Sequence, residues 1–441
     1  MIAIRVLILL GLVACAGPAR EAWVDTHAIP LGARWPEALP DAVAAELDAA
    51  AAGHRFVMLG EGDHYVHEKY GYRLAFLRAL IARGVRHIAM EIGGSDAARV
   101  DRYLETGDEA WLDRVVLYGY DGVSELERRE LAPFRDRNHS CGDRSSADEK
   151  AFFRAVRAMS EAARAGGDRV HLFGFDFDAN PGGGFEDARQ ALAGCAAGPE
   201  VDALRPQLTP PAGSSGMAEV ARLEALAAQL GAPSEALVAA CGAGPLGAAA
   251  HMLARLAFSY QTSMDWSATS MDMSPNGLQR YRAMFATREQ HMDSELTAWL
   301  TTLPPAAPVA FLGHNLHLAR NSEQLRFGRA PHDLAMWPSV TTLIERASPG
   351  ATYVVWLLYA RGHRLALQPS GACESQVDTP DDHLERALVG DEPAFVPLAG
   401  APRQSIIDRP VAFGTETSEG SGAIRGAVDA IVILPTASAP P

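Results

Sequence analysis

The sequence predicts an α/β fold: a mainly parallel central sheet flanked by helices, with a large helical insertion. Three observations carry that reading. Short apolar runs ending in glycine or an acid alternate with helical periodicity along most of the chain. The first strand, helix and second strand fit within about 35 residues, the length of a βαβ unit, which demands a parallel pair. The stretch from about residue 186 to 304 is Ala-rich, helical in period and without a strand signal.

The N-terminus reads as an address. Met1–Ala14 carries one charge, Arg5, before the apolar run Val6–Val13, too short to span a bilayer and suited to a signal-peptide core. Leu12-Val13-Ala14-Cys15, followed by Ala16-Gly17, resembles the bacterial lipobox, in which the cysteine carries the lipid. An ordinary signal peptide beside a chance cysteine is the bland alternative. Residues 1–14 are thus expected as a lipoprotein signal peptide and 15–36 as a tether. The folded part, 37–441, is expected on the periplasmic face of a membrane, held by the lipid anchor only. Cys15→Ser should abolish lipid labelling and leave the precursor uncleaved; normal labelling of the mutant would refute the anchor.

The elements follow in order. Ala38–Ala52 has helical spacing, and Arg55-Phe56-Val57-Met58-Leu59-Gly60 reads as a buried strand. Tyr70–Arg83 places Leu74, Leu77, Leu80 and Ile81 on one helical face, with Gly84 as its stop. Arg86-His87-Ile88-Ala89-Met90 is the second strand. Helix Ala147–Ala165 leads to strand Val170–Asp176, and helices over Ser274–Leu303 lead to strand Pro308–Gly313. Tyr353–Leu358 and Ala430–Leu434 complete the predicted sheet, and Pro210–Gly216 reads as a loop inside the insertion.

Composition excludes several functions. With 54 acids against 39 bases and no basic run, the composition argues strongly against nucleic-acid binding. Only two bases are lysines, Lys69 and Lys150. Beyond Cys15, the cysteines Cys141, Cys195, Cys241 and Cys373 allow three pairings in an oxidising compartment, or free thiols. No C-x-x-C is present, which argues against a cysteine zinc site.

Sites in α/β sheets lie at the carboxyl ends of strands. Three predicted strand ends carry unusual residues: Gly60-Glu61-Gly62-Asp63-His64 with Glu68 and Arg73 beyond, then Glu91, then Gly313-His314-Asn315-Leu316-His317. Each has a structural reading alone, as a cap or a carbonyl partner; at matching positions they converge on one crevice. Leu59–His64, Arg73 nine residues after His64, Ala89-Met90-Glu91 and Gly313–His317 together resemble the erythromycin esterase family. Gly174-Phe175-Asp176, Arg288-Glu289-Gln290-His291-Met292 and the closing Ala427–Thr436 support the resemblance, which spans about residues 55–436. It implies an α/β core with a helical subdomain, and hydrolysis of a small-molecule ester or lactone by activated water, with no cofactor or metal. His64 matches the general base; Glu61, Arg73, Glu91, His314 and His317 match the other active-site positions. The segment Tyr65-Val66-His67 departs from the small residue many members carry after the histidine.

The chemistry suits these roles. A neutral histidine can take a proton from water near pH 7. Glu91 or Glu61 can hold its tautomer, and Arg73 or His314 can donate to a developing oxyanion or leaving alkoxide. Two other classes are expected to compete: a metal-dependent hydrolase using Glu61, His64, Glu91, His314 and His317 as ligands, and a non-catalytic surface-binding lipoprotein. Gly93-Gly94-Ser95-Asp96-Ala97 looks like a damaged nucleophile elbow but reads equally as a helix N-cap. His67-Glu68 lacks the second histidine of a zinc helix. Met264, Met271, Met273, Met284 and Met292 fit core filler better than a cleft lining.

Overall fold

The computed structural model describes residues 20–441 apart from 33–35, 116–124, 165–166, 179–180, 210–215, 270–273, 329–332, 366–372 and 416–418. Cys15, the segment expected as a signal peptide and nearly all of Pro210–Gly216 lie outside the described residues. The apolar runs are strands: β1 (Ile29–Pro30), β2 (Phe56–Glu61), β3 (His87–Gly93), β4 (His171–Asp176), β5 (Val309–His314), β6 (Arg326–Phe327), β7 (Leu334–Ala335), β8 (Thr352–Tyr359), β9 (Arg361–Leu365), β10 (Glu374–Asp378), β11 (Ala394–Pro397), β12 (Val411–Phe413), β13 (Gly420–Gly422) and β14 (Ala430–Leu434). The main sheet runs β1-β11-β14-β8-β2-β5-β3-β4. From β14 to β4 every pairing is parallel; β11 and β1 extend one edge antiparallel.

Alternation along each strand sorts the core into two faces. Val57, Leu59, Leu312 and Leu357 meet one apolar cluster. It is covered by α2 (Asp41–Gly53), α3 (Glu68–Ala82), α4 (Gly94–Thr106) and α5 (Glu125–Arg164). Phe56, Met58, Phe311 and Trp356 meet the opposite one, covered by α11 (Pro275–Leu300), α12 (Val340–Ala347) and α13 (Leu384–Leu388). A sheet buried on both faces explains why its strands read as continuous hydrophobic runs.

The stretch read as helical holds α6 (Pro181–Ala191), α7 (Pro199–Leu204), α8 (Met217–Gly231), α9 (Glu235–Cys241), α10 (Ala243–Thr269) and then α11, with no strand among its described residues. It has its own core, including Phe185, Leu223, Leu253 and Leu256. Cys195 and Cys241 form a disulfide across it, and Cys373 is likewise disulfide-bonded. Met284 and Met292 are buried in apolar clusters. Among the described residues no single helix is long and apolar enough to cross a membrane.

Two expectations need correcting. The tether does not extend to residue 36: α1 (Ala22–His27) buries Trp23 and Val24, and β1 pairs with β11. Two apolar side chains amid small residues are enough to dock a segment that composition alone reads as loose. The short antiparallel strands β6, β7, β12 and β13, which form a separate sheet, and the β9–β10 pair were not expected. Most span two or three residues, too few for a period, and β9 and β10 are rich in polar residues.

Candidate active site

The first side chain at the sheet's carboxyl edge is Glu61, the last residue of β2. Its neighbour in β5 is His314, in parallel register. A Cβ at Gly60 beside it would fall 2.2 Å from the Asn315 Oδ1, so a larger residue there would push the buried Asn315 side chain aside. Glu61 is buried, with Oε1 2.6 Å from His64 Nδ1 and Oε2 accepting from Arg73 at 2.8 Å. The Lys69 ammonium lies 3.2 Å from the same Oε2. Burial opposes its charge, but Arg73, Lys69 and His64 outweigh this and hold the carboxyl far below the usual carboxylate range. A permanently ionised Glu61 therefore fixes the proton of His64 on Nδ1 and turns the basic lone pair to Nε2.

His64 is the open member of the group, with its side chain 27% exposed against 2% for Glu61. Its loop is pinned by Asp63, which accepts from the Tyr65 backbone N–H at 3.0 Å, from Tyr359 at 3.1 Å and from Arg364 at 3.1 Å. The loop thus tightens itself through an Asx turn and ties to β8 and β9.

His314 lies beside His64, with ring centroids 5.3 Å apart. Its Nδ1 accepts the Leu316 backbone N–H at 3.2 Å, leaving the ring proton on Nε2. Burial, with the neighbouring His64, pushes it down to about 3, so it is a neutral donor at working pH. His317 is the opposite case. Glu289 holds its Nδ1 and Glu91 lies 3.2 Å from its Nε2. Despite burial, the two carboxylates raise it to about 10, an imidazolium with both nitrogens committed.

Glu91 closes the inner layer. It accepts from Arg288 at 3.0 Å and from the His314 backbone N–H at 2.5 Å. Burial opposes its ionisation, but His317, His64 and Arg288 keep it well below the usual range. Arg288 also pairs with Asp176 at the tip of β4, at 2.9 Å through Nε. Glu289, beside it, accepts from Trp337 at 2.9 Å and from the Val340 N–H at the start of α12 at 2.6 Å.

The structure thus brings all six predicted residues together and redistributes their work. Glu61, not Glu91, orients His64. The Arg73 terminal nitrogens bond Glu61 and the Leu59 and Gly313 carbonyls. Lys69, Asp176, Arg288 and Glu289 belong to the cluster and were not assigned to it. Asp176 ends an apolar strand, and Arg288 and Glu289 lie in a motif that supports the resemblance, so signals for these three were present; Lys69 carried none. Ser95 does not cap α4 with its side chain; Gly93 occupies the N-cap, and Asp178 accepts the Ser95 N–H at 2.8 Å.

Glu61 lies against Lys69 and Arg73, and Glu91 against Arg288 and His317. Among the described residues no group of three or more His, Cys, Asp or Glu is placed to hold an ion.

The fold matches three solved structures. A protein from Bacillus cereus is 15% identical, with TM-score 0.64 over 95% of this chain and 97% of the other. An erythromycin esterase mutant, EreC, in its open conformation is 16% identical, with TM-score 0.62 over 92% and 96%. A succinoglycan biosynthesis protein is 12% identical, with TM-score 0.61 over 94% and 96%. No curated protein sequence matches. Residues 81–417 match the erythromycin esterase family, a span that contains Glu91, Asp176, Arg288, Glu289, His314 and His317. Glu61, His64 and Arg73 precede it: Glu61 joins the site through the register of β2 with β5, and His64 and Arg73 through their contacts with Glu61. With well over half of its length matched, the chain belongs to the erythromycin esterase family.

Proposed function

We propose that this protein hydrolyses a small-molecule ester or lactone with water activated by His64. Family membership supports an esterase-like hydrolase. The observation that carries the finer reading is the 2.6 Å bond between Glu61 Oε1 and His64 Nδ1, made by a carboxylate that is itself locked by two cations. His64 Nε2 takes a proton from water as its oxygen attacks the carbonyl carbon, and Glu61 stabilises the imidazolium that forms. His314 donates its Nε2 proton as a hydrogen bond to the developing oxyanion or the leaving alkoxide. Collapse of the tetrahedral species returns the His64 proton to the alkoxide, giving acid and alcohol.

A panel of aryl esters and macrocyclic lactones, assayed with and without chelator, tests this. Turnover should persist in chelator and in Ser95→Ala, whose hydroxyl plays no part in water activation. Loss in chelator with recovery on adding a divalent ion would instead favour the metal hydrolase, and loss in Ser95→Ala an acyl-serine route. A folded protein that binds but turns over nothing would favour the binding lipoprotein.

A further inference from the structure

We propose that Lys69 is a positioning residue shared between Glu61 and a second buried acid, Glu149, and that ionisation of Glu149 loosens its hold on the His64 loop. This rests on the reading of His64 as the water-activating base.

Lysine is nearly absent from the chain, yet one of its two lysines is buried behind the site, only 1% exposed. The Lys69 ammonium donates to the His64 carbonyl at 2.5 Å and lies 3.2 Å from Glu61 Oε2. It grips both ends of the short segment that presents the base. An ammonium radiates its donors from one atom, which suits convergent acceptors better than the flat guanidinium used almost everywhere else in this chain.

Glu149 comes from α5, which packs on α3, and is fully buried. Tyr70 donates to its Oε2 at 2.8 Å, while its Oε1 has no hydrogen-bond partner. The groups acting on it are Lys69, Tyr70 and Arg73 from α3, Glu61 from β2 and Tyr65 from the loop. Asp148, on its own helix, is turned to His67. Burial pushes the Glu149 carboxyl up to about 7, against the pull of Lys69. Below that pH Glu149 is neutral and the ammonium serves Glu61 and the loop. Above it, a second buried anion competes for the same charge. His64 needs to be neutral to act, so activity first rises with pH and then falls as Glu149 ionises.

The test compares native protein with Glu149→Gln, which mimics the neutral acid in shape. Two readouts are taken: the pH profile of kcat/KM on an ester from the panel, and the His64 Cε1–H resonance through its titration. Native kcat/KM should fall about ten-fold between pH 7 and 9, and the variant should lose that alkaline limb while keeping the acid one. The native His64 resonance should show a second inflection near pH 7 that Glu149→Gln removes. Lys69→Met should lower kcat more than it raises KM at every pH. Superimposable profiles, or a single-step His64 titration in both proteins, would overturn the proposal. Absence of native turnover would refute the hydrolase reading alone, and the resonance would still decide this one.

Discussion

His64→Ala should lower kcat by about 10²–10⁴-fold, the usual contribution of a positioned base. The ring is the most exposed member of the cluster and leaves no apolar void, so the fold should survive. Its removal frees Glu61 Oε1, but Arg73 and Lys69 still neutralise that carboxylate. KM should change little, because the base acts mainly as the proton moves. Circular dichroism and thermal unfolding next to the steady-state rates separate lost chemistry from lost fold. Wild-type kcat in a folded His64→Ala protein would refute the assignment.

Arg288→Met should have the largest effect on stability. Arg288 is buried and holds both Glu91 and Asp176, so methionine strands two carboxylates away from water. Breaking such a buried pair from one side costs about 3–5 kcal/mol. Urea unfolding should show a lower midpoint at unchanged slope. A variant within about 0.5 kcal/mol of native, typical of a surface change, would show the cluster to be wetter and looser than described. Arg288 carries Glu91, and Glu91 receives the His314 backbone N–H, so surviving protein should also turn over more slowly.

The readability of the site followed how each residue reaches it. Glu61 and His314 end apolar strands and Glu91 lies two residues from the end of one, and a parallel sheet places strand ends together, so one sequence suffices to associate them. His317, three residues beyond His314 in the turn after β5, came with its motif. Lys69, Arg288 and Glu289 sit on helices, where a charge normally faces water; a motif pointed to Arg288 and Glu289, whereas for Lys69 only packing shows that it faces inward. Arg73 comes to the predicted place, and sequence does not show that its terminal nitrogens bond Glu61 and two backbone carbonyls. The fold divides in the same way. Six long buried strands announced themselves through hydrophobic runs, whereas Arg326–Phe327 and Gly420–Gly422 are too short to carry any pattern. The docking of Trp23 and Val24 depends on partners hundreds of residues away.

If Cys15 carries a lipid, the docked N-terminal segment sets a leash length. The Glu21 N–H bonds to the Ala387 carbonyl, and β1 is stitched to β11 soon afterwards. About six residues separate Cys15 from that anchor point, and a fully extended chain of that length reaches only about 20 Å. With a lipid on Cys15, the domain would hang close under the bilayer by one corner, its β1–β11 edge nearest the headgroups. The strand tips carrying His64 and His314 would then keep a restricted range of orientations toward the membrane, which a longer, looser stalk would not impose.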